Sequence, residues 1–267
     1  MHYWFIFHNG NLLIEEQENG SYNIPFSSTT PIKQEYIKSK IVVKNTFCEN
    51  DIYALDVSFP ENIGPNYKWL GLRASHNGLP KEYYDLAGKC VELLHWHKNN
   101  RYCSRCGTEL IWNTDISKVC LHCKNEVWPQ LAIAIIVLIH KKDEVLLVHA
   151  RNFRENLYGL VAGFVETGES LEEAVIREIK EETGLEVTNI QYQNSQPWPY
   201  PSNLMAGFTA EYKSGDISLQ ESELSAGAWF KYNELPLIPD KASLARKLID
   251  NWLKQFKHEN FRKSTWL

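Results

Sequence analysis

The sequence predicts an α+β multidomain chain in three parts, with an α/β arrangement at its C-terminal end. Three observations carry this. Short β-rich runs such as IVVKN (41–45) and IYALDVSF (52–59) alternate with turn clusters over residues 1–98. Four of the six cysteines then fall within residues 103–123. From Trp128 the pattern changes to long buried strands and amphipathic helices. The expected parts are an N-terminal α+β domain (1–98), a cysteine-bearing ribbon (99–127) and a C-terminal domain (128–258).

The N-terminal part ends in a helical stretch around KCVELLHWHKNN and shows no chemical motif. In the C-terminal part LAIAIIVLIH and EVLLVHA read as buried strands joined at KKD. A helix follows near 170–183, then strands at LMAGFTAEYK and AGAWFKY, and a last helix at SLARKLIDNWLKQF. Residues 259–267 read as a frayed tail. No internal repeat is visible.

Bulk properties narrow the function. A net charge of -5 argues against a protein that coats nucleic acid through charge alone. The longest apolar run, Leu131 to Ile139, is about half of what a membrane span needs. The N-terminus lacks a basic flank ahead of its short apolar run, so a signal peptide is not expected. A cytoplasmic protein with no membrane partner is the expectation. Clustered cysteines in a reducing compartment point to metal rather than to disulfides.

Cys103 and Cys106, then Cys120 and Cys123, form two C-x-x-C pairs separated by thirteen residues. Four thiolates supply the tetrahedral set that suits one Zn²⁺ per chain, and a closed set of four leaves no position for catalysis. Gly107 provides the left-handed residue that such a turn uses. Cys48 and Cys90 stand apart.

The segment GFVETGESLEEAVIREIKEETGL holds the second constellation. Ser170 with Glu173 is a capping box that starts a helix, and Gly184 stops it. Leu171, Val175 and Ile179 form its buried stripe. Glu178, Glu181 and Glu182 project from one face, where like charges repel unless compensated. Arg177 can relieve part of this by pairing with Glu173 or Glu181. A divalent cation would relieve more, and carboxylate oxygens select Mg²⁺ or Mn²⁺, ions that also bind phosphates. Taken alone, such a run is usually a solvated acidic face; the flanking glycines, the arginine and Glu169 upstream are what set this one apart.

The run Gly163, five residues, Glu169, seven residues, Arg177-Glu178-Ile179, one residue, Glu181-Glu182, one residue, Gly184-Leu185 resembles the Nudix hydrolase signature at every fixed position. Chance occurrence in a chain of this composition is on the order of 10⁻⁷. The resemblance implies an α/β/α sandwich over 128–258 and metal-assisted attack of water on a diphosphate. It implies Glu178, Glu181 and Glu182 as catalytic metal-binding residues, with Glu181 the additional ligand or base, and the carbonyl of Ala162 and Glu223 as further ligands. Arg177 would orient a glutamate rather than touch substrate.

Beyond the helix, SQPWPYPSNLM (195–205) is a loop stiffened by three prolines, with an amide and two aromatic faces suited to a base. It resembles the element that marks the NADH pyrophosphatase branch of the Nudix family, which also carries a four-cysteine zinc site and an N-terminal domain. That resemblance implies hydrolysis of NAD(H) to nicotinamide mononucleotide and AMP, removal of the NAD cap from RNA 5′ ends, and a homodimer. It implies substrate contacts at Arg73, Asp115, Trp128, Gln196, Pro197, Trp198, Pro199, Tyr200, Pro201, Ser202, Asn203 and Ala245, and Phe164 is placed to stack on a ring. Tyr200 stands where the branch has Phe, Asn203 where it has Ser, and Asp115 and Trp128 where it more often has Glu and Tyr. Residues 89–127 carry six basic and four acidic side chains, a mild net of +2 that is compatible with passing RNA.

Other readings differ in testable ways. A non-catalytic Nudix sensor or regulator would lack motif glutamates, and all are present. A ribbon-centred nucleic-acid-binding protein would carry a stronger basic stripe. A Nudix hydrolase for ADP-ribose or a diadenosine polyphosphate would not need the SQPWP element.

Overall fold

The structure, a computed structural model, describes residues 1–44, 49–59, 63–153 and 156–263, with side chains of the last helix described to 256. Cys48 and the last four residues of the expected tail lie outside the described residues. The chain divides into two compact units, Met1–Leu131 with Trp198–Ser202, and Ala132–Pro197 with Asn203–Leu267.

The first unit opens with β1 (His2–His8) and β2 (Asn11–Glu16), joined by a two-residue turn. Asn9 and Gly10 both take positive φ there, 47° and 78°, as a hairpin of this length requires. Next come β3 (Tyr22–Asn23), β4 (Phe26–Ser27), β5 (Ile37–Val42), β6 (Ile52–Val57) and β7 (Tyr67–Gly71). They form one sheet in the order β3-β2-β1-β6-β5, with β4 on β1 and β7 on β2, and β1 runs parallel to β6. Period-two alternation splits β1 between two cores. Phe5 and Phe7 face the side covered by α2, whereas Trp4 and Ile6 join Leu13, Ile32 and Leu55 on the other. After the short α1 (Leu72–Ser75), α2 (Lys81–Asn99) lays Leu86, Ala87, Cys90, Leu93 and Leu94 on the first core. It starts well before the stretch read from the sequence, directly after Pro80. Full burial raises the Cys90 thiol and leaves it unreactive.

The cysteine region forms a three-stranded sheet, β8 (Leu110–Trp112), β9 (Lys118–Cys120) and β10 (Glu126–Val127), with β9 central. It belongs to the first unit. Lys118 is buried, and its amine donates to the carbonyls of His97 (3.0 Å) and Asn100 (2.7 Å) at the end of α2. The Trp96 and Trp112 rings flank it.

The second unit is built on β11 (Ala132–Lys141), β12 (Glu144–Ala150), β13 (Val161–Phe164), β14 (Glu186–Trp198), β15 (Asn203–Ser214) and β16 (Leu224–Lys231). The sheet order is β14-β15-β11-β12-β16 with β13 on β11, and β11 runs parallel to β15. Ile135, Val137 and Ile139 pack on the side of α3 (Leu171–Thr183), whereas Ile136 and Leu138 pack on the side of α4 (Leu244–Lys263). A mixed sheet thus lies between two helices. Two boundaries differ from the sequence reading. The SQPW residues continue β14 and Asn203 opens β15, because β14 and β15 pair as far as a short connection that retains only Pro199–Ser202. The last helix continues to Lys263, into the expected tail.

Phe208 is 1% exposed at the centre of the α3-side core. Phe208→Ala should cost about 3–5 kcal/mol by the lost transfer energy plus the cavity, read as a lower urea midpoint in denaturation followed by circular dichroism.

Candidate active site

Helix α3 carries the densest charge. Ser170 and Glu173 close the capping box reciprocally: the Glu173 N–H donates to Ser170 Oγ (3.3 Å) and the Ser170 N–H to Glu173 Oε2 (2.8 Å). Gly184 ends the helix at φ 72°. Glu178 and Glu182 are buried, while Glu181 is exposed.

Arg177 organises these carboxylates. Its Nε and Nη2 grip both oxygens of Glu169 (2.6 and 2.9 Å), and Nη1 donates to Glu178 (2.9 Å) and Glu181 (3.1 Å). Nη2 also reaches the Phe164 carbonyl on β13 (2.9 Å). Pairing with Glu181 follows the sequence expectation. Glu173 is not a partner among these bonds, because its carboxylate is taken by the cap. The fork holds Glu169 down at about 2.

Gly163 faces this cluster so closely that a Cβ there would lie 2.0 Å from the Glu178 carboxylate. Only glycine leaves room for a strand backbone against buried carboxylates. Burial, against the pull of Arg177, raises Glu178. Burial and the nearby Glu178, Glu223 and Glu181 push Glu182 up to about 8. Two buried carboxylates beside a third, with one shared arginine, form an electrostatically strained group that a divalent cation would relieve. The donor set, with Glu178 held close against Gly163, therefore fits a hard cation such as Mg²⁺ or Mn²⁺.

The loop before β16 packs on the end of α3. The Ser218 N–H donates to the Thr183 carbonyl (2.9 Å) and the Gln220 N–H to the Glu182 carbonyl (3.0 Å), using acceptors that a helix end leaves open. Nothing in the sequence pattern signals these bonds, which depend on how the loop lies.

In the first unit the four cysteine sulfurs lie within 4.8 Å of one another. Among the described residues they are the one group of three or more donor side chains already drawn to a point. Two matching turns bring them there: the Gly107 N–H donates to the Cys103 carbonyl and the Lys124 N–H to the Cys120 carbonyl. Gly107 and Lys124 take φ 74° and 58°, and Lys124 was not foreseen because a lysine seldom marks a left-handed turn. Hydrogen bonding with Thr108 draws the Cys106 thiol down to about 5, the thiolate form that metal requires.

The other candidate residues are distributed between the units. In the first, the Arg73 guanidinium lies 5.3 Å over the Trp198 ring, which meets Tyr200 edge-on. Tyr200 shares a hydroxyl contact with Tyr84 (3.3 Å), Pro199 is buried, Pro201 is exposed, and Ser202 donates to the Gln130 carbonyl. Asp115 lies 3.9 Å from Lys44, and Trp128 is exposed. In the second unit Phe164 is exposed, as are Ala162, Pro197 and Glu223. Gln196 donates to the Ala242 carbonyl (2.8 Å), while its own oxygen is buried and unpaired. Asn203 is half-buried and opposite Ala132, and Ala245 packs into the α4-side core.

Residues 128–252 match the NUDIX domain family, and residues 1–96 match the family described as NADH pyrophosphatase-like rudimentary NUDIX domain. The chain belongs to the Nudix hydrolases. It is 41% identical over 180 residues to the NAD-capped RNA hydrolase NudC of Pectobacterium atrosepticum, covering 66% of this chain and 69% of that protein. It is 43% identical over 169 residues to the protein of the same name from Escherichia coli, covering 63% of this chain and 66% of that one. The chain thus spans about two thirds of these relatives. A Nudix hydrolase structure from Nitrosomonas europaea covers 59% of this chain and 93% of its own length at 21% identity, with a TM-score of 0.48.

The raised Glu182 fixes the sign of a pH effect. A carboxyl raised on folding contributes stability that is complete below its unfolded value near 4.5 and is lost as pH rises through about 8. Glu92, raised to about 7 by burial, acts in the same direction. Protein freed of Mg²⁺ and Mn²⁺ should therefore melt several degrees lower at pH 8.5 than at pH 5.5. Glu182→Gln should flatten that slope, and excess Mn²⁺ should offset it; an unchanged slope in Glu182→Gln would assign the effect elsewhere.

Proposed function

We propose that this chain hydrolyses the diphosphate of NAD(H) to nicotinamide mononucleotide and AMP, and removes the NAD cap from RNA 5′ ends. The observation that carries this reading is the Arg177 fork, with Glu178 packed against Gly163 and Glu182 buried on the same helix. The names of the relatives supply the substrate class. No motif glutamate is missing, which favours an enzyme over a sensor.

In this reading Glu178, Glu182, Glu223 and the Ala162 carbonyl hold Mg²⁺ or Mn²⁺. When bound, such a cation would neutralise phosphate oxygens and lower the pKa of an attacking water. Glu181, exposed and only partly engaged by Arg177, serves as the additional ligand or as the base for the attacking water. Arg177 orients Glu178 and opposes the burial that raises its carboxyl. Arg73, Asp115, Trp128, Phe164, Ala245 and residues 196–203 contact the dinucleotide; Trp198, backed by Arg73, offers a stacking face.

Cys103, Cys106, Cys120 and Cys123 hold one structural Zn²⁺, making 99–127 a zinc ribbon between an N-terminal domain at 1–98 and the Nudix domain at 128–258. The working form is a cytoplasmic homodimer. No helix among the described residues is long and apolar enough to cross a membrane.

The test is a comparison of kcat/KM for NADH, NAD⁺, ADP-ribose and NAD-capped RNA with Mg²⁺ or Mn²⁺ present. NADH or the capped RNA should exceed ADP-ribose, and a leading ADP-ribose would overturn the substrate assignment. Glu178→Gln should lower kcat by about 100-fold or more, since each charge-stabilising group of this kind contributes about 3 kcal/mol. Cys120→Ser should abolish the single bound zinc measured by metal analysis and lower Tm, whereas Glu178→Gln should leave zinc content at one per chain.

A further inference from the structure

Glu223 stands on an exposed loop, yet its backbone is pinned from two sides. On one side lie the bonds to the end of α3 made by Ser218 and Gln220, followed by the Glu223 N–H donating to the Gln220 carbonyl (3.0 Å). On the other side stands Arg151, the first residue beyond β12. Its backbone N–H donates to the Glu223 carbonyl (2.9 Å), and its Nε donates to the Glu221 carbonyl. One residue thus grips the loop at both of these carbonyls.

The strands beside this clamp are irregular. His149 pairs with Ala226 but Ala150 with Leu224, so Ser225 is an extra residue in a β-bulge. His149 Nδ1 and Ser225 Oγ lie 2.7 Å apart, and Ser225 Oγ donates to the His149 carbonyl (3.1 Å), which locks the bulge. Bulges re-aim neighbouring side chains, and they gather beside active sites. Here Leu224 turns into the core and Glu223 is left on the open side.

We propose that Arg151 is a positioning residue for the divalent-cation site, holding the loop so that the Glu223 carboxylate is presented to Glu178 and Glu182. The inference rests on the reading of Glu223 as a metal ligand. Residues that orient a ligand without touching the ion commonly govern metal affinity.

The test uses the full chain with its zinc retained and follows Mn²⁺ binding through the electron paramagnetic resonance signal of the free ion. Arg151→Ala should weaken Mn²⁺ binding about tenfold and shift the Mn²⁺ requirement of NADH hydrolysis to higher concentration. Arg151→Lys, which keeps a donor, should recover part of the loss. Glu223→Gln should weaken binding by itself, and adding Arg151→Ala to it should cause little further loss, because the two act through one carboxylate.

Wild-type Mn²⁺ affinity in Arg151→Ala beside weakened Glu223→Gln would overturn the positioning role, as would full additivity in the double variant. A loss confined to the KM for NADH would place the guanidinium on substrate and overturn it too. Unchanged Mn²⁺ binding in Glu223→Gln would remove the ligand reading and the inference with it. Should Arg151→Ala fail to fold, Arg151→Met keeps the length of the side chain without its donor, and wild-type Mn²⁺ binding there would overturn the proposal.

Discussion

The forked arginine of α3 is the interaction on which the second unit's chemistry depends. A helix that places glutamates at positions 178, 181 and 182 meets mutual repulsion, and burial of two of them makes it worse. Arg177 answers with five bonds to four residues, one of them on β13. A point charge on a flexible stem would not span Glu169, Glu178, Glu181 and a strand carbonyl together, whereas the planar guanidinium does. The fork therefore fixes the register of α3 on β13 while leaving Glu182 without a cationic partner in that network. A site for a divalent cation needs both properties, rigid walls and an unmet negative charge.

The two units share a plan. Each is a mixed sheet centred on a parallel pair, β1 with β6 and β11 with β15, and each covers one face with an apolar helix stripe. Their helices differ in chemistry. On α2 the inward positions are leucine, alanine and cysteine, and burial alone raises the half-buried Glu92. On α3 two inward positions are glutamates. The same architecture is thus a packing scaffold in one place and a charged cradle in the other, separated by a few side chains.

Much of this was legible in the sequence because its signals are local. Ser170, Glu173 and Gly184 set the ends of α3 through bonds made within a few residues, and paired cysteines announce themselves by spacing alone. What escaped depends on distant partners. Glu173 could not serve Arg177 once the cap claimed it, and the sequence alone could not rank those bonds. The SQPW residues read as loop because prolines suggest it, yet the pairing of β14 with β15 carries the strand through them. Arg151 and Ser225 lie seventy or more residues from the groups they hold, so no periodicity points to them.

Lys118 joins two parts of the first unit that neighbour each other in sequence but arise from different local rules. Its amine completes the last turn of α2 from a strand that also ends in Cys120, a member of the sulfur cluster. A disturbance of that cluster would pull on β9, withdraw the amine and leave two helix carbonyls facing the indoles of Trp96 and Trp112 with no donor. Fraying would then run backwards along α2 into the sheet it covers. The sulfur clip is in this sense a keystone, and its influence extends beyond its own few strands.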